Sequence, residues 1–478
     1  MQITSPTFKA NAHEALHDAQ LQRALGNVRS GFIHKRAKAV GALPEFEELR
    51  DNAKAIKDHV LEHLDIYLET YEKKVEDAGG KVHWAETAAE ARGIILDICR
   101  MNNARTVTKG KSMLTEEIEL NDFLEASGIQ PVETDLGEYI IQLRGEHPSH
   151  IIAPAVHLNK DQVEQDFRRV HTEFEQDRDL TQPEQLLSEA RQVLRQKYFD
   201  ADVGITGANF LVAETGTSII VTNEGNGDLT QTLPRVHIVV ASIEKVVPTL
   251  DDAAQILRVL ARSATGQEAS VYTTLSTGPR RDNDPDGPEE YHVILLDNGR
   301  SAMLGTEFQD ALRCIRCGAC INHCPVYHAV GGHAYGWVYP GPIGAVVTPS
   351  LVGVDKAGHL PNASTFCGRC ESVCPMRIPL PKMMRHWREK EFERGLNPAV
   401  ARYGLKFWLW FAKRPRLYRL ATYLAMPVMG LFGGHKRRFR FLPFAGGWVR
   451  YRDLPAPEGR TFMQQWRDRQ TINQDARG

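Results

Sequence analysis

The sequence lacks a long apolar run. No stretch reaches the ~18 uninterrupted apolar residues that a membrane-spanning helix needs. The nearest approach, from Leu420 to Gly434, is uncharged but short, and it contains Pro427 and several glycines. The amino-terminal residues MQITSPTFK also lack the apolar core of a secretory signal. We therefore expect a cytoplasmic protein.

Cysteine is scarce outside one short stretch. Seven of the eight cysteines lie between Cys314 and Cys374, and the eighth is Cys99. A disulfide framework would be unusual in a large, apparently cytosolic chain, whose thiols stay reduced. Clustered thiols in that setting are typical of metal ligands. Cys99 follows the apolar residues Ile94-Ile95-Leu96 and Ile98, so we expect a buried structural thiol there.

Negative charge is missing from one long segment. The whole chain is nearly balanced, with 58 Lys and Arg against 60 Asp and Glu, but the segment from Gly395 to Arg452 has no acidic residue and twelve basic ones. The same segment is rich in aromatic residues: Phe407, Trp408, Trp410, Phe411, Phe439, Phe441, Phe444 and Trp448. This pattern predicts a membrane-surface element or a docking face for a partner subunit. The alternative is a helical cap with solvated arginines, and no module for binding nucleic acid is present.

Hydrophobic periodicity divides the rest of the chain. An apolar stripe at spacings of three and four runs from Leu49 to Val75 and ends at Gly79-Gly80, which predicts helix. Strands then alternate with helices to about residue 300, which predicts an α/β domain with a largely parallel sheet. The predicted strands are Lys81–Glu86, Thr106–Thr108, Asn209–Ala213, Ser218–Thr222, Val236–Ala241, Ser270–Leu275 and His292–Leu296. The predicted helices are Thr87–Asn103, Ser112–Ala126 and Asp251–Ser263. We expect four segments: a helical region (1–64), the α/β domain (65–300), a cysteine-bearing domain (301–394) and the basic, aromatic extension (395–478).

The two cysteine runs indicate iron–sulfur ligation. The first, Cys314-Ile-Arg-Cys317-Gly-Ala-Cys320-Ile-Asn-His-Cys324-Pro325, matches the bacterial C-x2-C-x2-C-x3-C-P pattern. The second, Cys367-Gly-Arg-Cys370-Glu-Ser-Val-Cys374-Pro375, matches its last three positions, and Ser364 falls on the missing one. Paired C-x2-C elements also bind zinc, but the dense first run and both Cys-Pro endings favour iron.

Exchange of the last cysteines assigns the ligands, since the fourth cysteine of such a run ligates the other cluster in two-cluster ferredoxins. One 4Fe–4S cluster then takes Cys314, Cys317, Cys320 and Cys374. The other takes Cys324, Cys367 and Cys370 and lacks one thiolate. Its fourth ligand is Ser364, a water, or a histidine such as His323 or His328, or else the corner is vacant and the oxidised cluster is 3Fe–4S.

The α/β domain offers weaker candidate sites. Lys109, Lys111 and Ser112 follow a strand at a helix start, where a carboxylate or phosphate could bind; otherwise Ser112 caps the helix and the lysines are solvated. Glu214 and Glu224 lie just beyond strand ends, where α/β sheets place ligands, and the alternative for both segments is turn chemistry. Glu214 is a weak catalytic candidate, because no P-loop, GxGxxG or His–Ser–Asp set accompanies it. His237, among valines, is expected in the core.

Taken together, these features resemble the lactate utilization protein B family over nearly the whole chain. The middle segment, GANFLVAETGTSIIVTNEGNGDLTQTLPRVHIVV, is similar to the LUD domain, which implies a fold like that of the NagB/RpiA/CoA-transferase superfamily. The cysteine region resembles an α-helical ferredoxin, and the tail resembles the family's carboxy-terminal extension. In that family the ligands fall on the positions assigned above.

The resemblance implies an iron–sulfur electron-transfer subunit of a multi-component L-lactate oxidation system, with two other subunits and an electron acceptor as partners. It does not show which subunit binds lactate. One alternative is a catalytic or ligand-binding LUD domain whose clusters regulate it or sense redox state. Another is an iron–sulfur subunit of a different hydroxy-acid or heterodisulfide-type oxidoreductase.

Overall fold

The computed structural model describes residues 3–439, 441, 442, 449 and 452–475. Phe444 and Trp448 of the basic segment lie outside the described residues. The chain divides into two compact units, Met1–Glu391 and Phe392–Gly478.

The amino-terminal region is helical, as its apolar periodicity predicts. It contains α1 (Phe8–His17), α2 (Ala19–Gly41), α3 (Phe46–Glu62) and α4 (Leu64–Asp77). The stripe from Leu49 to Val75 spans two helices rather than one, because the backbone leaves helical geometry at His63 (φ −130°, ψ 36°). The apolar stripe continues across His63, so the sequence pattern did not show that the helix is divided there.

The α/β part follows from Lys81 onward. Its strands are β1 (Lys81–Ala85), β2 (Thr106–Gly110), β3 (Gln130–Glu133), β4 (Val203–Gly207), β5 (Phe210–Val212), β6 (Thr217–Thr222), β7 (Val236–Ser242), β8 (Val246–Val247), β9 (Tyr272–Ser276) and β10 (Glu290–Leu296). Its helices are α5 (Ala88–Met101), α6 (Met113–Glu117), α7 (Leu120–Ala126), α8 (Leu136–Arg144), α9 (Lys160–Val170), α10 (Pro183–Asp200), α11 (Asn226–Thr232) and α12 (Leu250–Ala264).

Six strands form one wholly parallel sheet in the order β1-β10-β7-β4-β2-β3. Strand β7 lies near the middle, and every residue from Val236 to Ser242 is buried, as expected for a strand covered on both faces. The predicted parallel α/β core is confirmed. Because all six strands run the same way, their carboxyl ends share one edge, where such sheets place ligands.

A second, four-stranded sheet, in the order β8-β5-β6-β9, corrects the single strand series predicted from the sequence. Strands β5 and β6 pair antiparallel through a turn in which Gly216 has φ 69°. A turn this short allows an antiparallel pair but no crossover to a parallel strand. The predicted helix Ser112–Ala126 is likewise two helices, separated at Glu119, whose φ is 54°.

The cysteine-bearing region is built from short helices, with no strand among the described residues 301–391. The helices are α13 (Ala319–Asn322), α14 (Tyr327–Val330), α15 (Gly341–Val352), α16 (Val354–Ala357), α17 (Arg369–Ser372) and α18 (Leu380–Glu393). Leu25 and Phe46 of the amino-terminal helices share one apolar core with Ile321, Tyr327 and Val346. The amino-terminal helices therefore complete the cysteine-bearing fold.

The second unit contains α19 (Ala399–Ala412), α20 (Pro415–Phe432), β11 (Arg438–Phe439), β12 (Leu454–Pro455) and α21 (Phe462–Asp475). Neither α19 nor α20 contains a buried residue. Among the described residues, no helix combines the length and apolar character needed to cross a bilayer.

Candidate cluster sites and a cavity at the strand ends

Four cysteines from the two separate runs line one small cavity. Cys314, Cys317 and Cys320 of the first run meet Cys374 of the second, and Ile151, Ile343 and Leu380 supply apolar walls. The structure thus brings together the four residues assigned to the first cluster.

The other three cysteines line a second cavity. Cys324, from the end of the first run, meets Cys367 and Cys370. Cys367 is exposed, whereas Cys324 and Cys370 are buried. The backbone N–H of Arg369 lowers the pKa of the Cys367 thiol. The second site therefore has a solvent-facing side.

A repeated backbone turn explains why the two runs match. Arg316 and Gly318, which flank Cys317, have φ 60° and 70°; Phe366 and Gly368, which flank Cys367, have φ 54° and 75°. Each glycine then begins a four-residue helix that carries the next cysteine. The repeat aligns Cys317 with Cys367, and Ser364 takes the position of Cys314.

Two of the three protein candidates for the missing ligand lie at the second cavity. Ser364 and His323 line it, whereas His328 does not and places its Nε2 2.7 Å from the Asn322 carbonyl. Ser364 Oγ accepts a hydrogen bond from the Phe366 N–H. His323 Nδ1 donates to the Ala319 carbonyl at 2.9 Å, which leaves the lone pair on Nε2, as in metal-ligating histidines. Burial lowers the pKa of His323 to about 4, so the ring is neutral near pH 7.

The cysteine cavities fit iron–sulfur clusters by their donor sets. Burial raises the pKa of Cys374 to about 11 and of Cys370 to about 12, and it raises that of Cys320 further. Buried thiols this close together ionise only when cations compensate their charge, which bound iron would do. The Ile378 N–H also points at Cys374 Sγ, 3.5 Å away. Hydrogen bonds to sulfur are among the features that tune cluster potentials.

Arginines from the amino-terminal helices hold the loop that carries Cys374. Arg50 of α3 donates to the Cys374 carbonyl at 2.6 and 3.1 Å. Arg36 of α2 donates to the Val373 carbonyl at 2.9 Å. These bonds fix the one ligand of the first site that comes from the second run.

A cavity of about 460 Å³ opens at the carboxyl ends of the parallel strands, and we call it the strand-end cavity. Lys111 and Ser112 after β2, Asn209 after β4, and Ser242 at the end of β7 all line it. Its volume lies in the range of small-molecule sites. Ile151 and Arg316 line both this cavity and the first cysteine cavity, so the two share a wall.

The wall shared with the cysteines is cationic. Arg316 lines both cavities, Lys245 lines the strand-end cavity, and the Arg316 guanidinium lies 4.5 Å from the centre of the Tyr339 ring. Burial, reinforced by nearby Arg316, lowers the pKa of Lys245 to about 8. Glu244 is shared between Arg316 (3.4 Å) and the fully buried Arg300 (3.2 Å).

The opposite wall is mixed in charge. Lys111 pairs with Asp135 and, at 3.1 Å, with Glu224. Glu138 accepts a hydrogen bond from the Lys111 N–H, and burial beside Glu133 and Asp135 raises its pKa well above the usual range. Glu138 therefore holds a proton more tightly than an ordinary glutamic acid does.

The structure separates the residues of the predicted anion site. Lys111 and Ser112 line the strand-end cavity, and Ser112 also caps α6 by accepting from the Thr115 N–H. Lys109 does not line it, because its buried ammonium is held by Glu133 at 2.6 Å and Glu116 at 2.8 Å. That part of the prediction is wrong: a residue in a strand points to one face, and Lys109 points into the α6–β3 packing.

The two candidate glutamates also separate. Glu224 lines the strand-end cavity, but Glu214 lies in the turn of the smaller sheet, is exposed, and accepts from the Leu250 N–H at the start of α12. Cys99 is fully buried, and burial raises its pKa to about 12. His237 is buried and bonds to Thr206 Oγ1, and burial lowers its pKa to about 3. Both residues are core groups.

A match to the zinc motif HExxH, His13 to His17 on α1, went unnoticed in the sequence reasoning. Both imidazoles are exposed. Within the described part of the chain, the only three-residue group with ligand atoms close enough to hold an ion is Glu146, His157 and His333. This group contains neither His13 nor His17, so the HExxH motif forms no three-ligand zinc centre among the described residues. Within the group, His157 is already bonded to Glu146 and to Ser149.

Sequence reasoning also missed Lys245, Arg316 and Glu138 as residues of the strand-end cavity. A usable signal existed for two of them. Lys245 lies three residues after the end of β7, and Arg316 stands inside the first C-x2-C loop. Glu138 comes from α8, and its place at the cavity required the fold.

Comparisons with known proteins cover nearly the whole chain. Family models match for the LUD domain (68–296), the 4Fe-4S dicluster domain (310–378) and the lactate utilisation protein B C-terminal region (370–471). A "Lactate utilization protein B" from Bacillus velezensis is 42% identical over 472 residues, 98% of each chain. An "Uncharacterized electron transport protein YkgF" from Escherichia coli is 40% identical over 471 residues, again 98% of each chain. A solved DUF162 family protein from Deinococcus radiodurans covers 49% of this chain and 98% of its own at 16% identity, with a TM-score of 0.28, too weak to support an argument about fold.

Proposed function

The chain belongs to the lactate utilization protein B family, and we propose that it is the iron–sulfur electron-transfer subunit of a multi-component system that oxidises L-lactate to pyruvate. The names of its relatives and its 4Fe-4S dicluster domain support a role in lactate utilization. The observation that carries the proposal is the meeting of Cys374 with Cys314, Cys317 and Cys320 in one buried cavity. Bound there, an iron–sulfur cluster accepts and releases electrons one at a time.

We assign two clusters to the chain. The first takes Cys314, Cys317, Cys320 and Cys374 as ligands, and the second takes Cys324, Cys367 and Cys370. The fourth position of the second is held by Ser364, a water or a histidine, or else it is vacant and the oxidised cluster is 3Fe–4S. We also propose the four segments set out from the sequence, with a NagB/RpiA/CoA-transferase-like fold for the α/β part and an α-helical ferredoxin for 301–394. The parallel sheet and the short helices around the cysteines support these assignments.

A pair of cysteine variants tests the ligand exchange. Anaerobically prepared protein should hold about seven to eight irons and no zinc. Cys374→Ser should perturb the first cluster in EPR and Mössbauer spectra, and Cys370→Ser, its close neighbour in sequence, should perturb the second. If Cys374→Ser alters the same cluster as Cys370→Ser, the exchange is wrong. Zinc in place of iron would refute the electron-transfer function itself.

Reconstitution tests the role in the pathway. The isolated chain should not oxidise L-lactate with an artificial acceptor, but lactate should reduce its clusters once the two partner subunits are added. Lactate oxidation by the chain alone would instead favour the alternative of a catalytic LUD domain. No reduction with partners present and both clusters intact would refute the proposal.

We further propose that the protein is cytoplasmic and touches an anionic membrane surface through α19 and α20. Large apolar side chains there are exposed, among them Trp408 (55%), Leu424 (61%) and Phe432 (77%). No acidic residue lies between Gly395 and Arg452, so no carboxylate within this segment opposes the attraction of its basic residues to lipid phosphates.

Vesicle sedimentation tests the membrane contact. The protein should bind vesicles containing phosphatidylglycerol but not pure phosphatidylcholine, and salt should weaken binding. Trp408→Ser should reduce binding, whereas Phe199→Ser, at an equally exposed apolar position (60%) on α10, should not. Equal binding to both vesicle types would refute the proposal, and binding to a partner subunit alone would make the surface a docking face.

A further inference from the structure

The cationic wall of the strand-end cavity has an unused binding capacity. Lys245 lines the cavity and has no hydrogen-bond or ion-pair partner within the described part of the chain. Arg316 also lines the cavity with a side chain that is 14% exposed, although its Nη1 is enclosed and has no hydrogen-bond partner among the described residues. Donors left unbonded in a buried place are costly, so such groups usually meet an acceptor.

The charges around this wall do not balance. Arg300 is held by Glu117 at 2.7 Å and by Glu244 at 3.2 Å, and Glu117 also accepts from the Tyr339 hydroxyl. Within the described residues, the carboxylate that pairs with Arg316 is then Glu244, at 3.4 Å. Arg300, Arg316 and Lys245 therefore share two carboxylates. A cluster in the first cysteine cavity would bring the negative charge of its thiolates to Arg316, so Lys245 is the cation left to pair with an anion in the strand-end cavity.

The rest of the cavity limits what that anion is. Leu260, Ala261 and Val240 supply apolar surface next to the cationic wall. The volume of about 460 Å³ admits a small organic molecule. A carboxylate on a short carbon skeleton satisfies both the cations and the apolar surface.

We propose that the strand-end cavity binds a small organic carboxylate, with its carboxylate group on Lys245 and Arg316. The choice of ligand, L-lactate or its oxidation product pyruvate, rests on the proposed function. The site itself rests on the cavity, its unpaired donors and its charge.

The shared wall couples this site to the first cysteine cavity. Arg316 lies between Cys314 and Cys317 and lines both cavities. A bound carboxylate adds negative charge next to the first cluster and therefore lowers its reduction potential. By linkage, reduction of that cluster weakens carboxylate binding by the same factor.

Equilibrium binding tests the site in the cluster-loaded full chain under anaerobic conditions. Radiolabelled L-lactate and pyruvate are the probes, and 1,2-propanediol, which lacks the carboxylate, is the control ligand. Lys245→Met should weaken carboxylate binding about tenfold to a hundredfold, as expected for loss of a hydrogen bond between charged groups. Lys245→Arg should keep most of the affinity, and Lys73→Met, on the exposed face of α4, should change nothing.

A second variant keeps the test valid if Lys245→Met does not fold. Ala264→Phe fills the cavity from α12 without touching a charge, and it should abolish binding with both cluster spectra unchanged. Equal affinity for propanediol, or unchanged carboxylate affinity in both variants, would overturn the proposal. So would failure of both acids to bind chain whose clusters are intact.

A redox titration supplies the readout that separates this inference from the proposed function. Saturating carboxylate should lower the midpoint potential of the first cluster and leave the second unchanged. Binding with this shift but without reduction by lactate and partners would refute the electron-transfer function and keep the site. Cluster reduction by lactate in the presence of the partners, without carboxylate binding to this chain, would refute the site and keep the electron-transfer function.

Discussion

Arg300 lies at the centre of a buried ion-pair network that connects the large sheet with the cysteine-bearing region. Its side chain is 1% exposed and contacts Glu117 at 2.7 Å and Glu244 at 3.2 Å. Tyr339 donates to Glu117 at 2.6 Å, and Arg316 approaches Glu244. Arg300→Met keeps the bulk of the side chain and removes the charge, so two buried carboxylates lose their shared cation.

The loss in the free energy of unfolding that Arg300→Met should cause follows from two separate arguments. Removal of one partner from a buried ion pair typically destabilises a protein by about 3–5 kcal/mol. Separately, although burial opposes it, Arg300 and Arg316 lower the pKa of Glu244 from 4.5 to about 2. A shift of that size corresponds to about 3 kcal/mol. The two values agree in order of magnitude.

The same shift fixes the pH dependence. Since the folded-state pKa of Glu244 lies below its unfolded value, its stabilisation is fully present above about pH 5 and is lost as the pH falls towards 2. In Arg300→Met the carboxyl groups take up protons more readily in the folded state. The difference in stability between the wild type and the variant should therefore be largest near pH 7 and shrink on acidification.

Urea denaturation of cluster-loaded protein, followed by far-ultraviolet circular dichroism, measures the effect. Arg300→Met should lower the free energy of unfolding by about 3–5 kcal/mol at pH 7, and Glu244→Gln added to it should restore part of the loss. Arg235→Met, which removes a half-exposed arginine near Glu289 and Glu290, should cost under about 1 kcal/mol. If Arg300→Met costs no more than Arg235→Met, or if the gap widens in acid, the reasoning is wrong.

Three further predictions concern the sites. Air exposure should convert the second cluster first and give a 3Fe–4S EPR signal, because Cys367 is exposed and the site has three cysteines. Loss of the first cluster before the second would contradict this prediction. His323→Ala should change the EPR spectrum of the second cluster more than Ser364→Ala does, because the His323 Nδ1 bond leaves the Nε2 lone pair available to iron. The reverse order would assign the ligand to Ser364. Glu214→Gln should leave both cluster spectra and the lactate-dependent reduction of the clusters unchanged, because Glu214 bonds to the start of α12 and does not line the strand-end cavity. Loss of that reduction would restore Glu214 as a catalytic candidate.

The cysteine sites were the most predictable part of the molecule, because ligand spacing in a short loop is a local property. The matching turns around Cys317 and Cys367 repeat a pattern that the sequence carries openly. The parallel sheet was predictable for a similar reason, since β7 contains the apolar run 238–241 and β10 the apolar run 293–296. The short strand β4, with two glycines and a threonine, gave no comparable signal.

The strand-end cavity was only partly predictable. Strand-end reasoning selected Lys111 and Glu224, which line the cavity, but it also selected Lys109 and Glu214, which do not. The side to which a strand residue points depends on its register, and the register is set by pairing with distant strands. Arg316 reaches the cavity because the cysteine-bearing region packs on the sheet, a contact that no local pattern encodes.

The exchange of cysteines between runs has a consequence for biogenesis. With the proposed ligands, neither cluster site is complete until the ribosome has made the second run. Helices α2 and α3 emerge early, yet their arginines bond to the carbonyls of Val373 and Cys374, which emerge late. Cluster delivery by the assembly machinery should therefore follow folding of the whole first unit. A nascent chain ending at Phe366 would carry all four cysteines of the first run and could complete neither cluster.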